Sequence, residues 1–177
     1  AVAVSRLGGE AAWLSKLPES PLARHVESSL RTHGVTPVVA PSEEGRVGVY
    51  YLEPAGEPRG TNVVYDRAGA AVRTATPADL ATEHVESARA FHTTGITPAL
   101  SGTLADTTRT LLDRAQDAGT HTVFDLNYRS KLWSTGEARE TCERLLPAVD
   151  TLVVAARDAR AVLGVEGDPT TVAETLA

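Results

Sequence analysis

At 177 residues, with 42% hydrophobic and 23% charged side chains, the chain is long enough to bury a real core and too apolar for disorder. One domain, or one domain plus a small appendage, is expected. A formal net charge of −6 and no basic patch argue against a sequence-independent nucleic-acid binder. No apolar run reaches the roughly 18–20 residues that span a bilayer. The start "AVAVSRLGG" does not read as a signal peptide, and the lone Cys142 offers neither a disulfide framework nor a thiolate metal site. A soluble cytoplasmic protein with no nucleic-acid or membrane partner is the expectation. Of the 17 basic residues only Lys16 and Lys131 are lysine, a bias that a salt-loving or high-GC source would explain.

In chain order, "AVAVSRLGG" reads as the end of a helix, with Gly8 and Gly9 past its C-terminus. "AAWLSKL" reads as a strand. "ESPLARHVESSLRTHG" is the clearest helix: Ser20 suits the N-cap, Pro21 the first turn, and Leu22, Val26 and Leu30 recur at helical spacing. Gly34 ends it, and "VTPVVA" is the next strand. Residues 41–76 change character. "GRVGVYYLEP", a turn "AGEPRG" and "TNVVYDRAGAAVRTA" predict β-hairpins uninterrupted by helix. Alternation then returns: strand "ARAFHTTG", helix "TLADTTRTLLDRAQDAG", strand "THTVFD", helix "GEARETCERLLPAV", strand "DTLVVAA", helix "RDARAVLG". Strands alternating with helices of this length predict βαβ units and a parallel sheet. The layout is α/β domain over 1–45, a β lid over 46–74, and the α/β domain continued over 75–177. The chain opens within one helix and stops within another, "TVAETLA", which reads as the middle of a longer protein.

Ligands in open α/β sheets bind beyond the carboxyl ends of the strands. "FDLNYRSKLW" sits at such an end. Asp125 closes a strand, and Asn127, Tyr128 and Arg129 follow, beside "HTTGITPAL" past the preceding strand. Arg129 offers a planar fork for a carboxylate or phosphate, and Asn127 a donor and an acceptor. A plainer alternative is that Asp125 and Asn127 cap the loop. Trp133 and Leu132 suit the core better than a site. In the lid, alternation puts Val63, Tyr65 and Arg67 on one face, together with one of Tyr50 and Tyr51. That face could close over a small polar ligand, its tyrosine hydroxyls bonding sugar hydroxyls and its guanidinium binding an anion. It could equally be a half-exposed sheet with cross-strand aromatic pairs.

The order of parts resembles the ribokinase-like (PfkB-type) carbohydrate kinases, an α/β sheet domain with a small β lid. Within them it most resembles the kinases of 2-keto-3-deoxygluconate. The carrying segments are "NVVYDRAGAA", "HTTGITPAL", "FDLNYRSKLWS" and "LVVAARDARAVLG", with "AVAVSRLG" similar to the family's first helix. The resemblance implies a ribokinase-like parallel sheet flanked by helices. The implied reaction is ATP- and Mg2+-dependent phosphorylation of a sugar acid, 2-keto-3-deoxygluconate to its 6-phosphate. Kinases of fructose, ribose or nucleosides, or a non-catalytic sugar-binding fragment, are the alternatives. By resemblance Arg129 approaches substrate and phosphoryl group, Tyr65 and Arg67 bind the sugar acid, and Tyr50 adds a lid contact. Asp125 and Asn127 lie below the reacting groups. Asp158 falls where the family often carries a magnesium-linked glutamate; the asparagine three residues before it in that motif is Ala155 here. The family's catalytic aspartate lies in a Gly-Ala-Gly-Asp-like motif, which these 177 residues lack. The fragment alone is therefore expected to be inactive. A homodimer through the lid is a further expectation.

Other chemistry finds no support. His25, His33, His84, His92 and His121 show no metal-binding spacing, and His92 is expected as a core residue. No GxGxxG follows a strand, and neither GxSxG nor GxxxxGK[ST] occurs.

Overall fold

The computed structural model describes residues 1–54, 56, 60 and 62–177. The chain divides into two compact units, Ala1–Ala75 and Thr76–Ala177. In the first, the short helix α1 (Val2–Arg6) is followed by β1 (Ala11–Pro18), α2 (Pro21–Thr32) and β2 (Val35–Ser42). Ser20 caps α2, its hydroxyl oxygen accepting from the Ala23 N–H at 3.1 Å, and Pro21 opens the helix where a missing N–H costs nothing. Gly34, at φ +73°, turns the chain into β2. β1 and β2 pair in parallel from Ala11↔Val35 to Pro18↔Ser42, so their carboxyl ends lie side by side.

The hairpin follows: β3 (Val49–Glu53) pairs antiparallel with β4 (Asn62–Asp66). The expected turn at 55–60 falls mostly outside the described residues. Beyond β4 the extended run stops. Gly69 takes φ +67°, and Ala71–Thr74 form a 3-10 turn where more hairpin was expected. The reason is burial. Ala70, Ala71 and Ala75 pack into the unit's core, and Ala71 donates to the Arg46 carbonyl at 2.9 Å. A second correction concerns α2. Leu22 is exposed, and it is Ala23 that is buried, one position round the helix from the predicted apolar row.

The second unit contains α3 (Glu83–Glu86), β5 (Ala90–Thr94), α4 (Ile96–Ala99), α5 (Gly102–Asp117), β6 (His121–Asp125) and α6 (Thr135–Leu145). A 3-10 turn (Leu146–Ala148) leads to β7 (Thr151–Val153), then α7 (Ala156–Asp158), a π-helical turn (Ala159–Leu163) and α8 (Pro169–Leu176). The three strands form a parallel sheet in the order β5-β6-β7. α6 carries a capping box in which Ser134 and Glu137 satisfy each other's backbone N–H groups. Phe124 and Leu126 from the central strand and its exit, Leu112 of α5, Ala138, Cys142 and Leu145 of α6, and Val162 make one core cluster. Each fully buried large side chain there contributes about 1.5–3 kcal/mol. Burial also pushes the Cys142 thiol up to about 11, so it is an inert core residue.

Parallel sheets flanked by helices, with a small antiparallel hairpin, are the α/β architecture the sequence predicts. Three details differ. β7 is three residues long, because Ala155 already caps α7. The short helix α4 stands where a loop past the strand was expected, and α3 lies in a stretch given no assignment from the sequence. His92 is exposed on β5, the first strand of the sheet, and is not a core residue. Among the described residues no helix is long and apolar enough to cross a membrane.

Candidate active site

The carboxyl end of the three-stranded sheet gathers the candidate residues of the second unit. β5 and β6 run in register to Thr94↔Asp125, and Val153 of β7 is level with Asp125. Two hydrogen bonds continue the ladder past the strands: Gly95 N–H to the Asp125 carbonyl at 2.8 Å, and Leu126 N–H to the Val153 carbonyl at 2.9 Å. Buried Leu126 then anchors the exit of β6 in the core. Asn127, next in the chain, is the one described non-glycine residue in the left-handed region, at φ +39°. Asparagine tolerates this conformation better than most residues. The loop therefore turns sharply at Asn127, which is half-buried, and delivers Arg129 to the exposed side. The Leu132 N–H donates to the Arg129 carbonyl at 2.8 Å and closes the next turn. Tyr128 differs from its neighbours. Its ring packs on the core cluster and its hydroxyl donates to the Trp133 carbonyl at 3.2 Å, so it braces the loop. Trp133 packs on the same cluster, as its apolar character predicts.

The hairpin of the first unit carries another group of candidate residues. The register pairs Tyr50 with Tyr65 and Leu52 with Val63. Tyr50 is thus the tyrosine that shares a face with Val63, Tyr65 and Arg67. The two rings are tilted at 48° with centroids 6.3 Å apart, an edge-leaning pair. The Arg67 Cζ lies 4.5 Å from the Tyr65 ring centroid. Cation–π stacking fixes the plane of the guanidinium and leaves its edge of N–H donors for an anion. Tyr50 is 60% exposed and Tyr65 39%. The opposite face carries Val49, Tyr51, Val64 and Asp66. There a cleft of about 1040 Å³ opens within the first unit, lined by Val49, Tyr51, Asp66 and Arg46 together with Glu19 and Leu22. It does not contain the Tyr50, Tyr65 and Arg67 face.

Asp158 ends α7, just beyond β7, and is 7% exposed. Its carboxylate lies 3.4 Å from the Arg157 Nε. Ala155, where the related motif has asparagine, caps the helix with backbone alone. Among the described residues no group of three or more His, Cys, Asp and Glu side chains could hold a metal ion. A single carboxylate fits a magnesium ion held mainly by phosphates and water, since Mg2+ binds one or two carboxylates and keeps several waters.

Comparison with known proteins gives the family. Residues 1–177 all match the pfkB family of carbohydrate kinases. The chain belongs to that family. It is 61% identical, over all of its 177 residues, to a 2-dehydro-3-deoxygalactonokinase of Haloferax volcanii, 56% of which it covers. It is 31% identical over 137 residues, 75% of this chain and 41% of that one, to a 2-dehydro-3-deoxygluconokinase of Bacillus subtilis. The crystal structure of the 2-dehydro-3-deoxygluconokinase of Thermotoga maritima superposes with a TM-score of 0.92 at 32% identity, over 99% of this chain and 56% of that one. The chain thus spans about half the length of the relatives it matches.

Two residues of this pfkB-family chain escaped the reading of its sequence. One is Gly95. A side chain there would place Cβ 2.1 Å from the Leu126 carbonyl oxygen, so only glycine lets the two site loops touch. The "TTG" at the end of a strand is the available signal, since an isolated Gly beside a strand marks close backbone approach. The other is Arg46, whose partner is Asp66, twenty positions away; no local pattern announces that pairing.

Proposed function

We propose that the full-length protein transfers the γ-phosphoryl group of ATP to a 2-keto-3-deoxy sugar acid, with 2-keto-3-deoxygluconate or its C4 epimer as substrate. The observation that carries this is the Tyr50–Tyr65–Arg67 face. A guanidinium stacked on a tyrosine beside a second tyrosine pairs one anion-binding fork with two hydroxyls. Such a face suits a polyol that carries a carboxylate and gives a neutral sugar less to bind. The 61% and 31% identical relatives bear the names of kinases for the two epimers, which supports the substrate class and leaves the epimer open.

In this reading residues 46–74 form the lid of the α/β domain. Arg67 binds the carboxylate, Tyr50 and Tyr65 bind hydroxyls, and Arg129 stabilises charge on the transferred phosphoryl group. Asp125 and Asn127 hold the loop that presents Arg129. Bound ATP and Mg2+ supply the phosphoryl group and neutralise charge on its oxygens; Asp158 would hold the ion through water. The exposed Tyr51 and Val64 on the second hairpin face support a homodimer through the lid, which sedimentation of the full-length protein tests.

A coupled ATP-consumption assay of the full-length protein decides the function. The panel holds 2-keto-3-deoxygluconate, 2-keto-3-deoxygalactonate, fructose, ribose and a nucleoside. Turnover of an acid at least tenfold above every neutral sugar supports the proposal. Equal or better turnover of fructose or ribose overturns it.

A further inference from the structure

The root of the hairpin is more tightly built than its strands. Arg46 makes two contacts with one residue of β4. Its Nη1 donates to the Asp66 carbonyl at 3.2 Å, and its Nη2 forms an ion pair with the Asp66 carboxylate. The Arg46 backbone is fixed as well. Its N–H donates to the Gly69 carbonyl at 3.0 Å, its carbonyl accepts from the Ala71 N–H at 2.9 Å, and it forms an isolated parallel bridge with Ala70. Gly45 precedes it at a place where nothing larger fits. A Cβ on Gly45, at φ +83°, would lie 2.9 Å from the Gly69 oxygen and 3.0 Å from Ala71 backbone atoms. Gly48 packs close to Arg67: a Cβ there would make ordinary contact, 3.5 Å from the Arg67 Cγ.

The placement matters because of what adjoins it. Asp66 lies between Tyr65 and Arg67, and alternation sends its side chain to the opposite face. Arg46 therefore grips β4 from behind, at the residue flanked by the two that read the ligand. A hairpin of two five-residue strands is marginal on its own, so its register and twist depend on how its root is held. Arg46 and Asp66 are both more than one-third exposed, and exposed ion pairs contribute little stability. What the pair supplies is position.

We propose that Arg46 is a positioning residue for substrate binding: through Asp66 it sets the orientation of Tyr65 and Arg67 toward the sugar acid. The inference rests on the sugar-acid reading above.

The test uses the full-length protein with Arg46→Ala, Arg46→Lys and, as a control on an ion pair within the second unit, Arg109→Ala. Steady-state kinetics with 2-keto-3-deoxygluconate and its C4 epimer are combined with amide hydrogen exchange over residues 62–71. Arg46→Ala should raise KM for the preferred acid roughly ten- to a hundredfold, the scale of a misplacement approaching 1 Å. It should lower kcat less than threefold, shift Tm little, and speed exchange in 62–71. Arg46→Lys, which keeps one contact, should fall between Arg46→Ala and wild type, and Arg109→Ala should match wild type in KM. Unchanged KM with faster exchange overturns the proposal, because the root then organises the hairpin without positioning the ligand. Unchanged exchange overturns it too, as does a large drop in Tm with proportionate loss of all activity. If wild type phosphorylates neither acid, the functional reading fails, and the exchange result alone decides whether Arg46 holds the hairpin.

Discussion

Gly95→Ala is the substitution that the site loop should tolerate least, and its backbone gives no hint of this. Gly95 sits at φ −59°, ψ −14°, a helical conformation that alanine prefers to glycine by roughly 1 kcal/mol. Judged on propensity, the change should stabilise. Sterics oppose it. The new Cβ would lie 2.1 Å from the Leu126 oxygen and 3.1 Å from its carbonyl carbon, so the loops must part by about 0.9 Å merely to reach the 3.0 Å floor for such contacts. Retreat is blocked on both sides. Leu126 is wholly buried, and its N–H and that of Gly95 are both committed to sheet hydrogen bonds. Forced insertion into such a place costs about 1–3 kcal/mol, which outweighs the propensity gain. The strain falls on Asp125, Leu126 and Asn127, the segment that delivers Arg129. A displacement near 1 Å at reacting groups costs on the order of a hundredfold in rate. The assay is thermal denaturation with kcat/KM for the sugar acid, both on full-length protein. A Tm equal to or above wild type, with kcat/KM within threefold, would refute the close-approach argument.

Arg67→Ala should cost an acidic sugar roughly tenfold or more in kcat/KM beyond what it costs a neutral analogue, because only the acid strands its charge; equal losses would make Arg67 structural. Arg129→Lys keeps the charge and loses the fork, so kcat should fall more than substrate affinity does, and a near-normal kcat would remove Arg129 from the chemistry. At the other end of β6, the Asp150 carboxylate accepts from the Thr122 N–H at 2.8 Å and the Thr122 hydroxyl at 3.0 Å. The Thr122 N–H first, then its hydroxyl, hold the Asp150 pKa below the ordinary 3.8, with a smaller contribution from His121. That stabilisation is present above pH 3.8 and is lost as pH falls through the lowered value, so Asp150→Asn should flatten the acid limb of the stability–pH curve; an unchanged acid limb in chemical denaturation would contradict it. Ser134→Ala removes half of the capping box on α6 and should cost about 1 kcal/mol by the same measurement, an unchanged midpoint counting against the cap.

What the sequence discloses depends on the range of the interaction. Ser20 and Pro21 announce the start of α2 because a cap is a matter of three adjacent residues. The shared face of Tyr65 and Arg67 is legible because side chains alternate with a period of two, and a slip by one residue would turn the whole set over. Alternation alone leaves open which of Tyr50 and Tyr51 joins them; the cross-strand register puts Tyr50 there, the tyrosine that the family resemblance names. Leu22 misled because helical spacing marks a row and not which neighbouring row is covered; Ala23 is small enough to be covered completely. The helix α4 was hidden by Pro98, which reads as a helix breaker yet is harmless in a first turn. The π-helical turn after Asp158 and the steric role of Gly95 are set by tertiary approach, for which the chain carries no periodic signal.

The two arginines are presented in different ways, and this is why their substitutions should separate kinetically. Arg67 is half-buried, stacked on Tyr65, and attached to a strand whose root is held by Arg46. Its fork is organised before any ligand arrives, so its contribution is available to the ground state and to the transition state alike. Interactions made equally in both states lower KM and leave kcat nearly unchanged. Arg129 is exposed at the end of a loop that turns at a left-handed asparagine. Ordering a long exposed side chain costs up to about 2 kcal/mol of rotamer entropy, which a weakly charged ground state repays poorly. In the role proposed for Arg129, charge that builds on the phosphoryl oxygens would repay it better, so the contact would strengthen as the reaction proceeds and appear in kcat. The same reasoning separates the two supports. Loosening Arg46 should disturb binding, whereas forcing a side chain into Gly95 should disturb turnover.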